Sequence, residues 1–275
     1  MNTNQKLWNL NQQKLRLALA AGYHQKAIDL FLSQHAMLHS AKIARTRLWS
    51  YEDEIFEDAA ESTLRTIPRN GEHSIAWIIW HLARIEDVTM NILVAGSPQV
   101  FDAEDWGRRM KVRIRHTGNA MEEDAVASFS KRVDLDELRA YRLAVGRRTR
   151  SIVKRLKPHQ LERKVQQKRI EQILIERGVL EEAMEIVVYW SRRTIAGLLL
   201  MPPTRHNFLH LNEALRIKQK LQLLTKRKLH RAGRRLSRNS LRSRKYMTQD
   251  KPLELILTGI VWSIVFFLLL ALYWN

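Results

Sequence analysis

The sequence predicts an all-α protein: a four-helix bundle with extra short helices, followed by one C-terminal transmembrane helix. Three observations carry this prediction. The 275 residues include only 10 Gly and 6 Pro, too few for a turn-rich β domain. Apolar residues recur at helical spacing, with no credible strand pair and no internal repeat. Residues 255–275 carry no charge, and about 20 apolar residues are what a helix needs to cross a bilayer core.

Taken in order, residues 5–34 read as an amphipathic segment (Leu15, Leu19, Ala27, Leu30, Phe31) interrupted near Gly22. A long helix is expected from about 36 to 66, because Ala41, Ala44, Leu48, Tyr51, Ile55, Ala59 and Ser62 step by three and four along one inward stripe. Pro68, Arg69, Asn70 and Gly71 stop it. A second helix runs from Ser74 to Val94. It is apolar on nearly every side between Ile75 and Ala83, which marks a central, covered element. Gly96, Ser97 and Pro98 end it. Residues 98–133 are irregular, with a short helix near 122–130. Asp134 and Glu137 make a capping-box arrangement that starts a third helix, running to about Leu156. After Pro158 come short helices at about 159–175 and 180–200. Pro202 and Pro203 interrupt, and Thr204 opens a last bundle helix ending near Leu224. The expected organisation is an N-terminal helical extension (1–23), the bundle (24–222), a basic linker (223–252) and the membrane helix (253–275).

The net charge of +19 is unevenly placed. Residues 216–251 hold 14 Lys/Arg against one acid, Asp250. Removing that +13 and restoring Glu254 leaves +7 for residues 1–215. Ahead of an apolar span, such a block reads as a positive-inside flank, which puts the bundle on the cytoplasmic side of the cell membrane. It would also attract anionic lipid, at roughly 1 kcal/mol per basic residue near the surface. Tyr273 and Trp274 suit the far interface. If the tail is not inserted, the expectation is a cytoplasmic protein. A nucleic-acid-binding arm is the competing reading, but the block has one aromatic, Tyr246, and no base-reading motif. At the N-terminus the apolar stretch 15–21 is short and broken by Arg16, so no secretory signal is expected. With no cysteine in the chain, any metal must be held by His, Asp or Glu.

Three histidines stand out. His206 and His210 are four apart, so on one helix their rings sit about 40° and one turn from each other. His81 lies within the most apolar helix, where an imidazole loses its water hydrogen bonds at a cost of about 1–3 kcal/mol unless something replaces them. Two helices supplying one plus two imidazoles give a three-nitrogen metal site with positions left open, the requirement of a catalytic metal. Packed, hydrogen-bonded core histidines give the same spacing. His35 and His39 form a second such pair. If the helix over 36–66 is continuous, His39 lies about 200° from its inward stripe, which places the pair in solvent or at a helix start and leaves a functional role as the lesser alternative.

The run from Glu72 through Trp77, Trp80 and His81 to Asp87, with Arg205, His206, His210 and Glu213, resembles the DinB-like superfamily. The segment from Asp134 through Tyr141 to Arg147 looks like the third helix of those proteins. The resemblance covers roughly residues 24–222. It implies a four-helix bundle whose His81, His206 and His210 hold a divalent metal ion; zinc, nickel and iron all suit three imidazoles. The basic segment and apolar tail have no counterpart in the usual family pattern. Glu213, three residues after His210, is expected to face the same cavity as a further ligand, a partner orienting an imidazole, or a general base. Trp77 reads as core wall, Arg84 as a surface arginine near the same mouth or else a group that holds an anionic substrate, and Glu86 and Asp87 as capping or pairing with arginines.

Relatives in the superfamily include thiol-dependent transferases and isomerases, so the resemblance implies a metal-dependent transferase or hydrolase. Any low-molecular-weight thiol would be a co-substrate, because the chain has none of its own. Two other readings stay open: a non-catalytic metal-binding or structural bundle, and a basic nucleic-acid-associated protein. An oligomer is compatible with all three.

Overall fold

A computed structural model of the chain describes residues 2–44, 49–68 and 73–247, except for the side chains of 229, 233 and 235–247. Leu48 of the expected stripe, most of the expected stop at 68–71, and the expected membrane helix at 253–275 lie outside the described residues. Among those described, no helix is long and apolar enough to cross a membrane. The chain divides into two compact units, 1–222 and 223–275.

The described residues are helical with no strand. One isolated bridge, Lys164 to Thr194, ties two loops together. Helix α1 (Thr3–Ala20) starts at a reciprocal cap: Asn2 Oδ1 accepts from the Gln5 amide at 2.8 Å, and Gln5 Oε1 accepts from the Asn2 amide at 3.0 Å. It turns back at Gly22, whose φ of +70° is a conformation glycine adopts without cost. Helix α2 (His24–Leu38) then packs against it, burying Ala27, Ile28, Phe31, His35 and Leu38.

The single helix expected over 36–66 does not form. Helix α2 ends at Leu38, and His39 is extended (φ −108°, ψ 167°). A 3-10 turn (Ala41–Ile43) and short helices at Tyr51–Phe56 and Glu61–Arg65 follow. Local hydrogen bonds explain the break. Ser50 Oγ accepts from the Asp53 amide at 3.0 Å, and the Asp53 carboxylate accepts from the Ala41 amide at 2.8 Å. Ser and Asp offer the backbone such alternatives to the helical ladder. Lys218 completes the Tyr51–Phe56 helix by donating to the carbonyls of Glu54 (2.6 Å) and Glu57, a cation at a helix C-terminus.

Helix α3 (Ile75–Asp87) is capped by Ser74, whose Oγ accepts from the Trp77 amide at 3.0 Å. It continues as a π-helical stretch, Val88–Ala95, until Gly96 at φ +65°. Every residue from Ile75 to Val94 is buried, as the all-round apolar pattern requires. Helix α4 (Leu135–Arg155) packs along α3 and starts at Asp134, which accepts from the Glu137 amide. A cap of this kind contributes about 1 kcal/mol.

The last bundle helix starts differently from the expectation. Pro202 and Pro203 do not separate two helices but sit inside a π-helical turn (Met201–His206), which runs straight into α5 (Asn207–Met247). Proline has no amide hydrogen to continue the ladder. The Leu199 carbonyl instead accepts from the Thr204 hydroxyl at 2.8 Å. Helix α3 supplies side chains to both apolar clusters of the interior. One surrounds Trp77, Trp80, Phe129, Tyr141 and Leu211; the other surrounds Phe31, Val88, Val153, Ile173 and Leu198.

Candidate metal centre

Helix α3 carries His81 into the interior at 2% exposure, and the π-helical turn and α5 bring His206 and His210 opposite it. The Trp77 ring lies nearly parallel to His81 (centroids 4.8 Å apart, 7° between planes). It forms a wall, as expected, and is itself covered by His73 at 3.7 Å. His81 Nδ1 donates to the Thr117 carbonyl at 2.6 Å. That bond fixes the tautomer, so Nε2 presents its lone pair to the cavity. Burial pushes the His81 imidazole down to about 3, with the Thr117 carbonyl opposing. Burial, followed by the neighbouring rings of His81 and His210, holds His206 well below the usual histidine range.

His210 is oriented in the same way. Its Nδ1 donates to Glu213 Oε2 at 2.8 Å, and this bond lowers the Glu213 carboxyl. Of the three roles open to Glu213, the observed contact is that of a partner orienting an imidazole. His81 Nε2 and His206 Nε2 are 3.2 Å apart, and one ligand atom from each of the three histidines lies within 4.8 Å of the others. Two nitrogens bound tetrahedrally to one zinc at 2.0–2.1 Å would stand about 3.3 Å apart. The observed pair therefore fits a shared cation with little movement. His206 and His210 are half-buried, less covered than His81.

The loop that supplies the Thr117 carbonyl is itself tightly seated. Gly118 has φ +89°, and a Cβ there would stand 2.6 Å from the Trp80 ring and 3.1 Å from that of Trp77. Only glycine combines that conformation with that approach.

Three expectations about neighbouring residues need correction. Arg84 is not a surface arginine; it is fully buried. It donates to Asp87 Oδ2 (3.2 Å), Tyr141 Oη (2.8 Å), Gln99 Oε1 (2.6 Å) and the Arg115 carbonyl (3.0 Å). Asp87 pairs with this arginine as expected, whereas Glu86 bonds no arginine among the described residues. His35 and His39 are not solvated either. Both are fully buried, and both donate through Nε2 to Glu86, at 2.8 and 3.0 Å. Burial pushes the His39 imidazole down to about 3. Helical phase does not carry through His39, because that is the residue where the helix stops. The clue available in the sequence was Ser40, a helix-start residue directly after His39.

An all-helical bundle with one imidazole on a central helix and two at the start of the last is a fold with a potential metal-binding interior. Residues 44–189, just over half of the chain, match the DinB superfamily. The chain belongs to the DinB superfamily. His81 lies inside the matched span, and His206 and His210 lie beyond it. No curated protein matches the chain.

Proposed function

We propose that the protein is a membrane-tethered, metal-dependent enzyme acting on small molecules, either a transferase using a low-molecular-weight thiol or a hydrolase. His81, His206 and His210 hold the metal. One observation carries this reading: two of the three imidazoles are fixed from behind at Nδ1, by the Thr117 carbonyl and the Glu213 carboxylate, with Nε2 left for the cavity. His206 and His210 are only partly buried, which is compatible with access of a small molecule to the three rings.

A divalent ion on imidazoles with vacant positions supplies Lewis acidity, which makes water or a thiol a stronger nucleophile and polarises a carbonyl. The chain's own residues do the rest. Thr117 and Glu213 hold their rings in register. Trp77, stacked on the His81 ring, walls the apolar side and excludes water there. Glu213 acts through His210 and is a positioning residue.

His206→Ala and His81→Ala are each expected to lower the metal content by one equivalent per chain, read by elemental analysis. Full retention in both variants would remove the ligand assignment. A thiol-transfer screen of the loaded protein, with His206→Ala as control, then tests the reaction class.

The membrane tether rests on the charge-free run at 255–275 and its basic flank. It places the bundle on the cytoplasmic face with the flank against anionic lipid. Deleting residues 250–275 is expected to move the protein from the membrane fraction to the supernatant. A full-length chain already found in the supernatant would overturn the anchor.

A further inference from the structure

We propose that His35, His39 and Glu86 form a second divalent-cation site, sealed inside the bundle and separate from the cluster of His81, His206 and His210. All three side chains have 0% exposure. His35 Nε2 lies 2.8 Å from one oxygen of Glu86, His39 Nε2 lies 3.0 Å from the other, and the ligand atoms all fall within 4.8 Å of one another. Two imidazoles and a carboxylate are a donor set that suits zinc and its first-row neighbours. The two rings stack at 4.2 Å. Neither Nδ1 has a hydrogen-bond partner among the described residues, so the polar capacity that both rings use there is aimed at the carboxylate.

Charge accounting points the same way. Among the described residues no lysine or arginine bonds Glu86. Its remaining partner is the Asn207 amide, at 2.9 Å. Arg142 is committed to Glu52 (2.8 Å), the Leu38 carbonyl (3.2 Å) and Asn207 Oδ1 (3.3 Å), and Arg84 to Asp87. A buried carboxylate without a formal counter-charge is costly, and a divalent ion between it and the two rings supplies one. Ion binding would move each ring proton from Nε2 to Nδ1, leaving two neutral imidazoles. The cost of two unpartnered N–H groups is small beside the binding free energy of a structural zinc.

The ring of His39 is also held in place from outside. Gly146 on α4 comes so close that a Cβ there would stand 2.7 Å from His39 Nδ1 and 2.8 Å from Cε1. The helix passes at that distance only because residue 146 has no side chain. An ion here would bind the end of α2 to α3, with Asn207 linking it to α5. With no exposed face, its role is structural, and its exchange is slow.

The test counts zinc per chain in full-length protein purified from zinc-supplemented cells, comparing wild type, the His206→Ala/His210→Ala double variant and Glu86→Gln. Glutamine keeps the shape and one acceptor, which favours folding. Two zincs are expected in the wild type and one in each variant. The zinc of the double variant should resist EDTA until guanidinium unfolds the chain. A single zinc that survives in the double variant and is lost in Glu86→Gln upholds this site and removes the outer one. If Glu86→Gln fails to fold, the double variant decides the matter. A double variant purified without zinc, or a Glu86→Gln protein with the wild-type count, overturns the proposal.

Discussion

Replacing Arg84 with alanine is expected to destabilise the bundle by about 3–5 kcal/mol, the cost of breaking a buried ion pair from one side. That is a large share of the 5–15 kcal/mol that holds a typical domain together. The guanidinium has four kinds of partner and also lies 4.3 Å over the Phe101 ring. Without it, Asp87 stays buried against Tyr141 Oη (2.7 Å) and the amides of Val100 (2.8 Å) and Phe101 (2.9 Å), with no cation.

The pH dependence has a definite sign. Burial already pushes the Asp87 carboxyl up, and Arg84 is the first of the groups opposing it. Losing Arg84 raises it further in the folded state. A carboxyl raised on folding costs stability above its unfolded value, and that cost fades as falling pH protonates it. Urea denaturation should therefore show a deficit at pH 7 that narrows toward pH 4. A deficit below about 1 kcal/mol at pH 7 would show that the network is not holding the fold.

Gly118→Ala is expected to have the second large effect, and to act on both stability and metal. Alanine at positive φ costs roughly 1 kcal/mol. Its methyl would also overlap the Trp80 ring, which is fully buried and packed on Phe129; overpacking of this kind costs about 1–3 kcal/mol. Together they amount to roughly 2–4 kcal/mol. The displaced loop is the one whose Thr117 carbonyl holds His81. Loss of such a partner typically lowers metal affinity 10- to 100-fold. Thermal melts and competition with a chelator measure the two effects separately. A variant with reduced stability but unchanged affinity would mean that the carbonyl does not position the ring.

The helices most legible in the sequence were those with a strong cap and a long apolar pattern. Helices α3 and α4 start at Ser74 and Asp134, the residues whose side chains were free to accept the first amides. The segment after α2 was misread because a stripe of small and apolar residues can be drawn through a broken chain as readily as through a helix. Arg84 was misread because exposure is the usual state of an arginine, and nothing local shows that Asp87, Gln99, Tyr141 and a carbonyl from a distant loop will converge on it.

The candidate site divides along the same line. Spacing placed His206 and His210 on one face, the apolar setting of His81 suggested a third imidazole, and the family resemblance favoured that set over packed core histidines, because all three depend on short-range helical geometry and short motifs. What holds their rings is contributed at long range by Thr117 and Gly118, from a loop with no pattern of its own, and at short range by Glu213. The His35, His39 and Glu86 group was invisible for a stronger reason. Glu86 lies 51 and 47 residues along the chain from His35 and His39, and their meeting depends on a helix ending at Leu38, a glycine on α4 making room, and an arginine already committed elsewhere. Periodicity reports which way a residue faces within one helix. It cannot report which face of another helix arrives there, since that is set by packing of the whole interior.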